Sequence, residues 1–335
     1  MPNNSLHKAR QVQQNEFYTK ISDIEDELGH YKKHFKGKVV LCNCDDPRVS
    51  EFFNYFALNF KHLGLKKLIT TCYKNQEPDL FSRHESDRAV YLEYNGCFSR
   101  YDNVPTAEDI GIKPLKGDGD FRSVECVELL KQADIVVTNP PFSLFREYVA
   151  QLIKYNKKFI ILGNQNAYTY KEIFKLIKEN KIWVGHNIGD MEFQVPSYYA
   201  PRKTRYRQDE NGQKWRSFGN MCWFTNLDIK KRHENLICYR KYTPEKYPRY
   251  DNYDAINVDK ITEIPYDYNG IMGVPITFLD KYNPEQFEIL ALDDHRVEWR
   301  GRGPDLNGKA LYRRVIIRRL PLTPSGKPYP LGEEL

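Results

Sequence analysis

The chain has 335 residues, of which 40% are hydrophobic, and a formal net charge of +6 at pH 7. This length suits one large domain or two ordinary ones. The mean hydropathy of −0.70, with no apolar run near the roughly 18 residues of a membrane span, argues against a transmembrane helix. A polar N-terminus and an odd count of seven cysteines indicate a cytoplasmic protein with reduced thiols. The mild positive charge is compatible with a polyanionic partner.

Changes in composition divide the chain into four stretches. Residues 1–14 are polar and are expected to form a flexible arm. Residues 15–185 alternate strand and helix patterns and are predicted to form one α/β unit. Residues 186–320 contain more Arg, Tyr, Pro and Asn and shorter apolar runs, and residues 321–335, rich in Pro and Gly, are expected to form a loose tail.

The α/β unit contains apolar runs of strand length separated by helical patterns. The predictions include three helices. The first covers residues 23–35, the second follows Asp45-Asp46-Pro47, which would cap it, and the third covers residues 143–155. The predicted strands are 38–42, 67–72, 133–138 and 158–163. Because parallel strands need crossover connections, this alternation predicts an α/β fold with a doubly wound, mostly parallel sheet.

The most informative motif follows the third predicted strand and reads Asn139-Pro140-Pro141-Phe142. A strand, a rigid polar turn and a helix place it at the carboxyl end of the sheet, where open α/β sheets bind ligands. The residues suit transfer of a group to an amino nitrogen on an aromatic ring. An Asn oxygen and a backbone carbonyl can accept its N–H bonds, the prolines fix that carbonyl, and the phenyl ring can stack on a base. The alternative is an ordinary turn, since Asn-Pro is a common turn dipeptide.

The end of the first strand, Cys42-Asn43-Cys44-Asp45-Asp46-Pro47, lacks the G-x-G-x-x-G pattern of a dinucleotide site. Asn43, Asp45 and Asp46 offer oxygen acceptors that suit the ammonium group of a small cofactor without phosphates. Helix capping by the two aspartates is the alternative. No Cys or His pair stands at zinc spacing, so we expect no metal site.

Two further segments can contribute to a binding site. In Gly117-Asp118-Gly119-Asp120-Phe121, Asp120 can accept from an exocyclic amine and Phe121 can stack on a ring, although a solvated turn explains the segment equally well. Near the N-terminus, Glu16-Phe17-Tyr18-Thr19 combines aromatic residues with an acid, for which core packing is the simpler interpretation.

Basic residues concentrate in the later half of the chain. Six of them surround an Asn211-Gly212 turn and are interleaved with Tyr206 and Trp215: Arg202, Lys203, Arg205, Arg207, Lys214 and Arg216. Such a loop can contact phosphates and enter a groove of DNA, and the alternative is a solvated charged hairpin. A second cluster surrounds Gly301-Arg302-Gly303 and comprises Arg296, Arg300, Arg302, Arg313, Arg314, Arg318 and Arg319.

Taken in order, these segments resemble the EcoRI-type family of adenine-specific DNA methyltransferases. The order is Phe-Tyr-Thr near the N-terminus, a first strand that ends in acidic residues, Asp-Phe, and then Asn-Pro-Pro-Phe. The resemblance covers most of residues 15–320 and is dense in segments 40–50, 119–123, 133–149, 218–227 and 272–278. These longer strings are far more specific than the tetrapeptide alone.

The resemblance implies a Rossmann-like methyltransferase fold, S-adenosyl-L-methionine as methyl donor and N6 of an adenine in double-stranded DNA as acceptor. It assigns cofactor binding and catalysis to residues 15–185, and target recognition, with some returning catalytic elements, to residues 186–320. The implied cofactor residues are Phe17, Tyr18, Thr19, Cys42, Asn43, Asp45, Asp120 and Phe121. The implied catalytic residues are Asn139, Pro140, Pro141 and Phe142, with Phe142 on one face of the flipped base and Phe218 or Trp223 on the other.

The chain departs from the wider methyltransferase pattern in two places. It lacks a glycine-rich loop after the first strand, and its second strand ends in Thr71-Cys72-Tyr73 without the acid that usually binds the ribose hydroxyls. Backbone groups near Cys72 and Tyr73 are the substitute that we expect for the ribose contact.

Other functions remain open on the sequence alone. Methyltransferases with an Asn-Pro-Pro-aromatic motif also act on planar nitrogens of ribosomal RNA and of protein glutamine amides. Methylation of cytosine N4 in DNA is a closer alternative. A DNA-binding protein without catalytic activity is an alternative from a different functional class. The enzyme would either belong to a restriction–modification system, with an endonuclease that acts separately, or act as an orphan modification enzyme. We expect it to be a monomer.

Overall fold

The computed structural model describes residues 17–44, 46–73, 88–97, 105–197, 199–293 and 305–321. Predictions for the arm 1–14, for Asp45, for Arg296, Arg300 and Arg302, and for all but the first residue of the tail 321–335 lie outside these residues. The chain divides into two compact units: unit 1 comprises residues 1–165 and 185–227, and unit 2 comprises residues 166–184 and 228–335.

Unit 1 is built on a nine-stranded sheet with the order β4-β3-β2-β1-β5-β6-β9-β7, in which β8 also pairs with β9. The strands are β1 (Val39–Asn43), β2 (Lys67–Cys72), β3 (Val90–Tyr94), β4 (Lys113–Pro114), β5 (Ile135–Thr138), β6 (Lys158–Asn164), β7 (Trp183–Val195), β8 (Tyr206–Gln208) and β9 (Lys214–Thr225). The central strands β2, β1, β5 and β6 are parallel, whereas β3, β4, β8 and β9 pair antiparallel. The predicted α/β fold with a mostly parallel central sheet is confirmed.

Helices cover this sheet and bury their apolar faces against it. They are α1 (Ile21–Leu28), α2 (Lys32–Phe35), α3 (Glu51–Leu58), α4 (Phe60–Leu63), α5 (Ala107–Ile110), α6 (Val124–Gln132) and α7 (Phe145–Lys154). The strands β1, β2 and β5 are buried along almost their whole length, as expected for parallel strands that are covered on both faces.

The start of α3 differs from the sequence prediction. Ser50 is the N-cap, because its side chain accepts a hydrogen bond from the backbone N–H of Phe53. Asp46 instead closes the preceding turn, accepting from the backbone N–H of Arg48 at 2.9 Å and pairing with its guanidinium. The predicted aspartate cap is therefore wrong by one turn, since Asp46 uses its carboxylate for Arg48.

Unit 2 contains α8 (Lys171–Lys178) and a four-stranded sheet with the order β10-β11-β15-β12. Its strands are β10 (Ile256–Asn257), β11 (Ile271–Pro275), β12 (Phe287–Leu292) and β15 (Arg314–Arg319), and a separate hairpin pairs β13 (Asp305–Leu306) with β14 (Lys309–Ala310). The core of this sheet includes Val315, Ile316 and Ile317, which are fully buried.

Short 3-10 turns occur in both units, at Gly29–Tyr31, Phe142–Leu144, Gln165–Thr169, Lys230–His233, Ile261–Glu263 and Ile276–Lys281.

The division into units does not follow the boundary expected at residue 185. Residues 185–227 return to unit 1 because β7 and β9 extend its sheet beyond β6. Residues 166–184 belong to unit 2, where the ammonium group of Lys178 donates to the carbonyl of Leu290 on β12. The roles assigned to the sequence ranges remain predictions.

Three arginines of the second basic cluster have partners within unit 2. Arg318 pairs with Glu288 on β12 at 2.6 Å, Arg314 lies 3.7 Å from Asp259, and Arg319 donates to the carbonyl of Tyr266 at 2.8 Å. These contacts hold β15 to its surroundings, and a role of the cluster in DNA recognition stays a prediction. No helix in the described ranges is long and apolar enough to cross a membrane.

Candidate active site

The tetrapeptide 139–142 follows β5 directly and leads through the 3-10 turn Phe142–Leu144 into α7. Asn139 is buried, and its side-chain Nδ2 donates to the backbone carbonyl of Phe17 at 2.6 Å. Its Oδ1 is also buried and has no hydrogen-bond partner among the described residues. A buried acceptor left without a donor costs free energy, typically about 1–3 kcal/mol, so this oxygen is placed where a ligand can donate to it.

Aromatic rings from three distant segments surround this loop. Phe17 stacks on Phe142 with ring centroids 5.7 Å apart and planes 18° apart, and it meets Phe218 edge-on at 4.7 Å. Phe193 and Tyr199 contact Phe17 from other sides, at 5.9 and 6.2 Å. We call these five residues the aromatic cluster. Phe142 and Phe218 are half-buried within it, so part of each ring remains accessible.

The segment Phe17-Tyr18-Thr19 is fixed beside the catalytic loop by β7. Tyr18 and Gln194 exchange backbone hydrogen bonds of 2.9 and 3.1 Å. Thr19 is buried, and its hydroxyl finds no partner in the part of the chain that the structure describes. The N-terminal motif therefore lies beside the tetrapeptide, and Thr19 adds a second buried polar atom that has no partner among the described residues.

The carboxyl ends of β1, β2 and β5 meet at Asn43. The carbonyl of Asn43 accepts from the hydroxyl of Thr138, and its Oδ1 accepts from the hydroxyl of Tyr148 on α7. The next residue, Cys44, has a φ of +88°, although it is not glycine, and its N–H donates to Thr71 at 3.0 Å. Such backbone conformations cost energy and cluster at functional sites.

The loop with Asp120 and Phe121 packs against the end of β2. Gly119 has a φ of +79°, and a Cβ atom there would lie 2.2 Å from the carbonyl oxygen of Cys72. Only glycine allows this approach. Phe121 is buried, and its ring meets the ring of Tyr148 at 5.0 Å. Three of the predicted cofactor residues, Asn43, Cys72 and Phe121, are thus brought together at one edge of the sheet.

The carboxylate of Asp120 is held by Arg122, at 2.6 Å from its guanidinium. Burial by itself raises the pKa of Asp120, but the hydrogen bonds from Arg122 outweigh it and hold the pKa below its ordinary value. Arg122 also pairs with Glu147 on α7 at 2.7 Å. Asp120 is therefore an ionised acceptor in a fixed orientation.

Some predicted site residues lie elsewhere. Trp223 is fully buried in β9 and packs against Phe52 on α3 with centroids 6.2 Å apart, so it cannot close a base pocket in this arrangement. Of the two residues expected there, only Phe218 lies beside Phe142. Cys42 is buried within β1, whereas Tyr73 is half-buried just after β2.

Tyr148 contacts two of the predicted site residues, and the sequence interpretation did not name it. It is fully buried, and it joins Asn43 to Phe121 through its hydroxyl and its ring. The available signal was its position on the apolar face of α7, with Phe145 and Leu152. A tyrosine on such a face needs a partner for its hydroxyl, which points to a neighbouring polar group.

The basic segment includes the hairpin of β8 and β9, with Gly212 at a φ of +79° in the predicted Asn-Gly turn. Several of its cations have partners within the chain. Arg207 pairs with Glu192 at 2.7 Å, Lys214 donates to the carbonyl of Tyr199, and Arg216 donates to that of Arg205. The hydrogen bond from Arg207 lowers the pKa of Glu192 to about 2. Arg202, Lys203 and Arg205 are exposed, and Arg205 lies 3.8 Å from Asp190.

The hairpin lies directly beside the aromatic cluster. The guanidinium of Arg216 lies over the ring of Phe218 at 5.2 Å, and that of Arg202 lies over the ring of Tyr199 at 5.8 Å. Positive charge is therefore concentrated next to the rings that surround Asn139. The described residues contain no group of three or more acidic, His or Cys side chains that could hold a metal ion.

An α/β sheet with a parallel centre and an Asn-Pro-Pro-Phe loop at the carboxyl end of β5 defines a Rossmann-like methyltransferase. Residues 5–319 match the family described as adenine-specific methyltransferase EcoRI. The chain belongs to this EcoRI family of adenine-specific methyltransferases.

Three curated relatives match nearly the whole chain. It is 52% identical to the Type II methyltransferase M.EcoRI of Escherichia coli, over 94% of this chain and 96% of the relative. It is 39% identical to the Type II methyltransferase M.MgeORF184P of Mycoplasma genitalium and 38% identical to M.MpnI of Mycoplasma pneumoniae, in both cases over 94% of this chain and 98% of the relative. No solved structure matches the chain.

Proposed function

We propose that the protein methylates N6 of an adenine within a short sequence of double-stranded DNA and uses S-adenosyl-L-methionine as donor. The observation that carries this proposal is the buried Oδ1 of Asn139, which has no hydrogen-bond partner in the described part of the chain and lies near aromatic rings at the end of β5. The membership of an adenine-specific family and the likeness to Type II methyltransferases support an adenine in DNA over the other planar nitrogens.

The residues at the ends of β1 and β2 fit the proposed donor. Asp120 is an ionised acceptor for the amine of the donor's adenine, and Phe121 offers an apolar surface beside it. The hydroxyl of Thr19 has no partner among the described residues, and Asn43 is polar at the end of β1. Both groups suit the methionine part of the donor. Backbone groups near Cys72 and Tyr73 would contact the ribose. When bound, S-adenosyl-L-methionine supplies a methyl group on a positively charged sulfur.

The chain's own residues then act on the acceptor. An adenine inside a duplex cannot reach the loop, so the base must be flipped out, which costs a few kcal/mol. Phe142 stacks on the flipped base and Phe218 lies at its side. Oδ1 of Asn139 and the carbonyl of Pro140 accept hydrogen bonds from N6, which counters the delocalisation of its lone pair into the ring. No covalent bond between enzyme and base is needed.

The β8–β9 hairpin is the proposed contact with the DNA backbone. Its cations begin beside the aromatic cluster, where a duplex must lie if one of its bases enters the cluster. Arg202, Lys203 and Arg205 are exposed. Arg207, Lys214 and Arg216 bond to Glu192, to the carbonyl of Tyr199 and to the carbonyl of Arg205, and these bonds fix the hairpin in place. Because each phosphate contact releases bound counterions, binding through this hairpin is expected to weaken as salt rises. We expect the protein to act as a monomer.

Single-molecule sequencing of host DNA tests the function directly. The wild type and Asn139→Ala are expressed in a host without adenine methylation of its own. We expect N6-methyladenine at one short motif with the wild type and none with the variant. If the folded wild type binds the donor and yet leaves every DNA base unmodified, the proposal is wrong and RNA or protein acceptors must be tested.

A further inference from the structure

We infer that Phe17 belongs to the pocket of the target adenine: its ring forms the second face of the slot that receives the base, and its carbonyl orients the amide of Asn139. This inference rests on the proposed function and adds a residue to the same site. It differs from the role in holding the methionine part of the cofactor that the family resemblance implies for Phe17.

The ring of Phe17 is placed as the wall of a stacking slot. It lies nearly parallel to Phe142, with centroids 5.7 Å apart, and both rings belong to the catalytic end of the sheet. A flat base that enters between these two rings must stack on both of them, so the rings have to move apart until each lies about 4.5–7 Å, centroid to centroid, from the base. The near-parallel orientation of Phe17 and Phe142 is the orientation that such a slot requires.

The third ring closes one side of this slot. Phe218 meets Phe17 at 4.7 Å and Phe142 at 6.3 Å, and it is close to perpendicular to both. Two parallel faces and one perpendicular edge match the shape of a nucleobase, which is flat and carries its polar atoms on its rim. Phe17 itself is only 6% exposed, and its neighbours in this cluster are aromatic rings.

The backbone of Phe17 decides which way the amide of Asn139 points. An amide side chain has a donor end and an acceptor end that are nearly identical in shape. A carbonyl can accept a hydrogen bond but cannot donate one, so the carbonyl of Phe17, 2.6 Å from Nδ2, selects the orientation with Nδ2 toward itself. Oδ1 then points away and remains unpaired within the described chain, as an acceptor of N–H bonds requires.

The test separates base binding from cofactor binding. Phe17→Leu removes the ring but keeps the carbonyl. The substrate is a duplex that contains the motif found by sequencing, with fluorescent 2-aminopurine in place of the target adenine for the binding measurement. Compared with the wild type, we expect the KM for the adenine duplex to rise about 10-fold, in the range of one lost stacking contact, and the Kd for the donor in calorimetry to change less than about 2-fold.

The fluorescence of the bound 2-aminopurine does not change when a substitution only lowers the overall stability of the protein. A 2-aminopurine held between two rings is quenched, so we expect brighter emission from the bound duplex with Phe17→Leu than with the wild type. Phe17→Tyr, which keeps the ring, should restore both KM and quenching. The matched control is Phe60→Leu, which removes an equally buried ring (5% exposed) from the contact with Tyr94, 4.8 Å away.

Each outcome decides the inference. If Phe17→Leu raises the Kd for the donor about 10-fold and leaves the KM for DNA and the emission unchanged, Phe17 belongs to the cofactor site and the inference is wrong. If Phe17→Leu does not fold, Phe17→Met, which keeps a long apolar side chain, undergoes the same measurements. A wild type that modifies no adenine overturns the proposed function, whereas a purely cofactor-related defect in the variant overturns only this inference.

Discussion

The carboxyl edge of the parallel strands and the β8–β9 hairpin are both polar, but they hold their polar groups in opposite ways. At the edge, the side chains of Asn139 and Thr19 are buried and keep an oxygen without a partner among the described residues. In the hairpin, the cations are largely exposed, and Arg207 already has its partner in Glu192. A buried oxygen without a partner among the described residues favours a ligand in one orientation, whereas exposed cations can contact a long polyanion in several registers.

This difference predicts two kinds of mutational effect. Removing a buried acceptor that contacts only the reacting group should lower the rate and leave binding intact. Removing an exposed cation should weaken binding in a salt-dependent manner and leave the rate at saturation nearly unchanged.

The largest effect is expected for Asn139→Ala. The variant loses an acceptor for N6, and we expect kcat to fall at least about 100-fold, the scale for one lost preorganised hydrogen bond. Donor binding in calorimetry should stay near the wild-type value. A variant that keeps more than about a tenth of the wild-type rate would show that Asn139 does not hold the reacting amine.

The second effect concerns the hairpin. Replacing both Arg202 and Lys203 by Ala should reduce the affinity for DNA and lower the slope of log K against log salt by about 2, near 0.9 for each lost phosphate contact. Titrations of a labelled duplex at several salt concentrations measure this slope. The matched control removes two arginines of unit 2, Arg318 and Arg319, which bond to Glu288 and to the carbonyl of Tyr266. An equal loss of slope in both variants would refute a specific role of the hairpin.

The third effect concerns the joint between the catalytic helix and the cofactor residues. Tyr148→Phe removes the hydroxyl that donates to Asn43. We expect the KM for the donor to rise roughly 10-fold with kcat changed little, because a lost buried hydrogen bond costs about 1–2 kcal/mol. Tyr168→Phe is the control, since that tyrosine is equally buried and donates to Asp280 in unit 2 at 2.9 Å. Equal donor KM values in the two variants would contradict the role given to Tyr148.

The smallest effect is an acid dependence of stability in the hairpin. The hydrogen bond from Arg207 lowers the pKa of Glu192 to about 2 from an ordinary value of 4.5. A lowered pKa stabilises the folded state above about pH 4.5, and this contribution is lost as the pH falls toward 2. Because Arg207 is half exposed, we expect at most about 1 kcal/mol. In thermal melts, Glu192→Gln should lose less stability between pH 6 and pH 3 than the wild type, and Glu210→Gln, in the turn between β8 and β9, serves as control.

Local patterns predicted the centre of the sheet well. The second strand was predicted at residues 67–72, where β2 lies, and the fourth prediction ends one residue before β6 does. Continuous apolar runs identify buried parallel strands because both faces are covered. The antiparallel β3 alternates buried and half-buried residues, as an edge region does, and no prediction was made for it.

The sequence also determined the chemistry available at the site. Two prolines after an asparagine, a glycine that alone fits beside Cys72, and an Asn-Gly turn are local choices whose conformations follow from φ restrictions and from the lack of a Cβ atom. The tertiary structure alone decided which of these residues meet. Phe17 and Asn139 are 122 residues apart in the chain, and Trp223 and Phe218 share a strand but not an environment. Composition cannot distinguish a ring in the core from a ring beside the reacting group, because burial and contact depend on how distant segments pack.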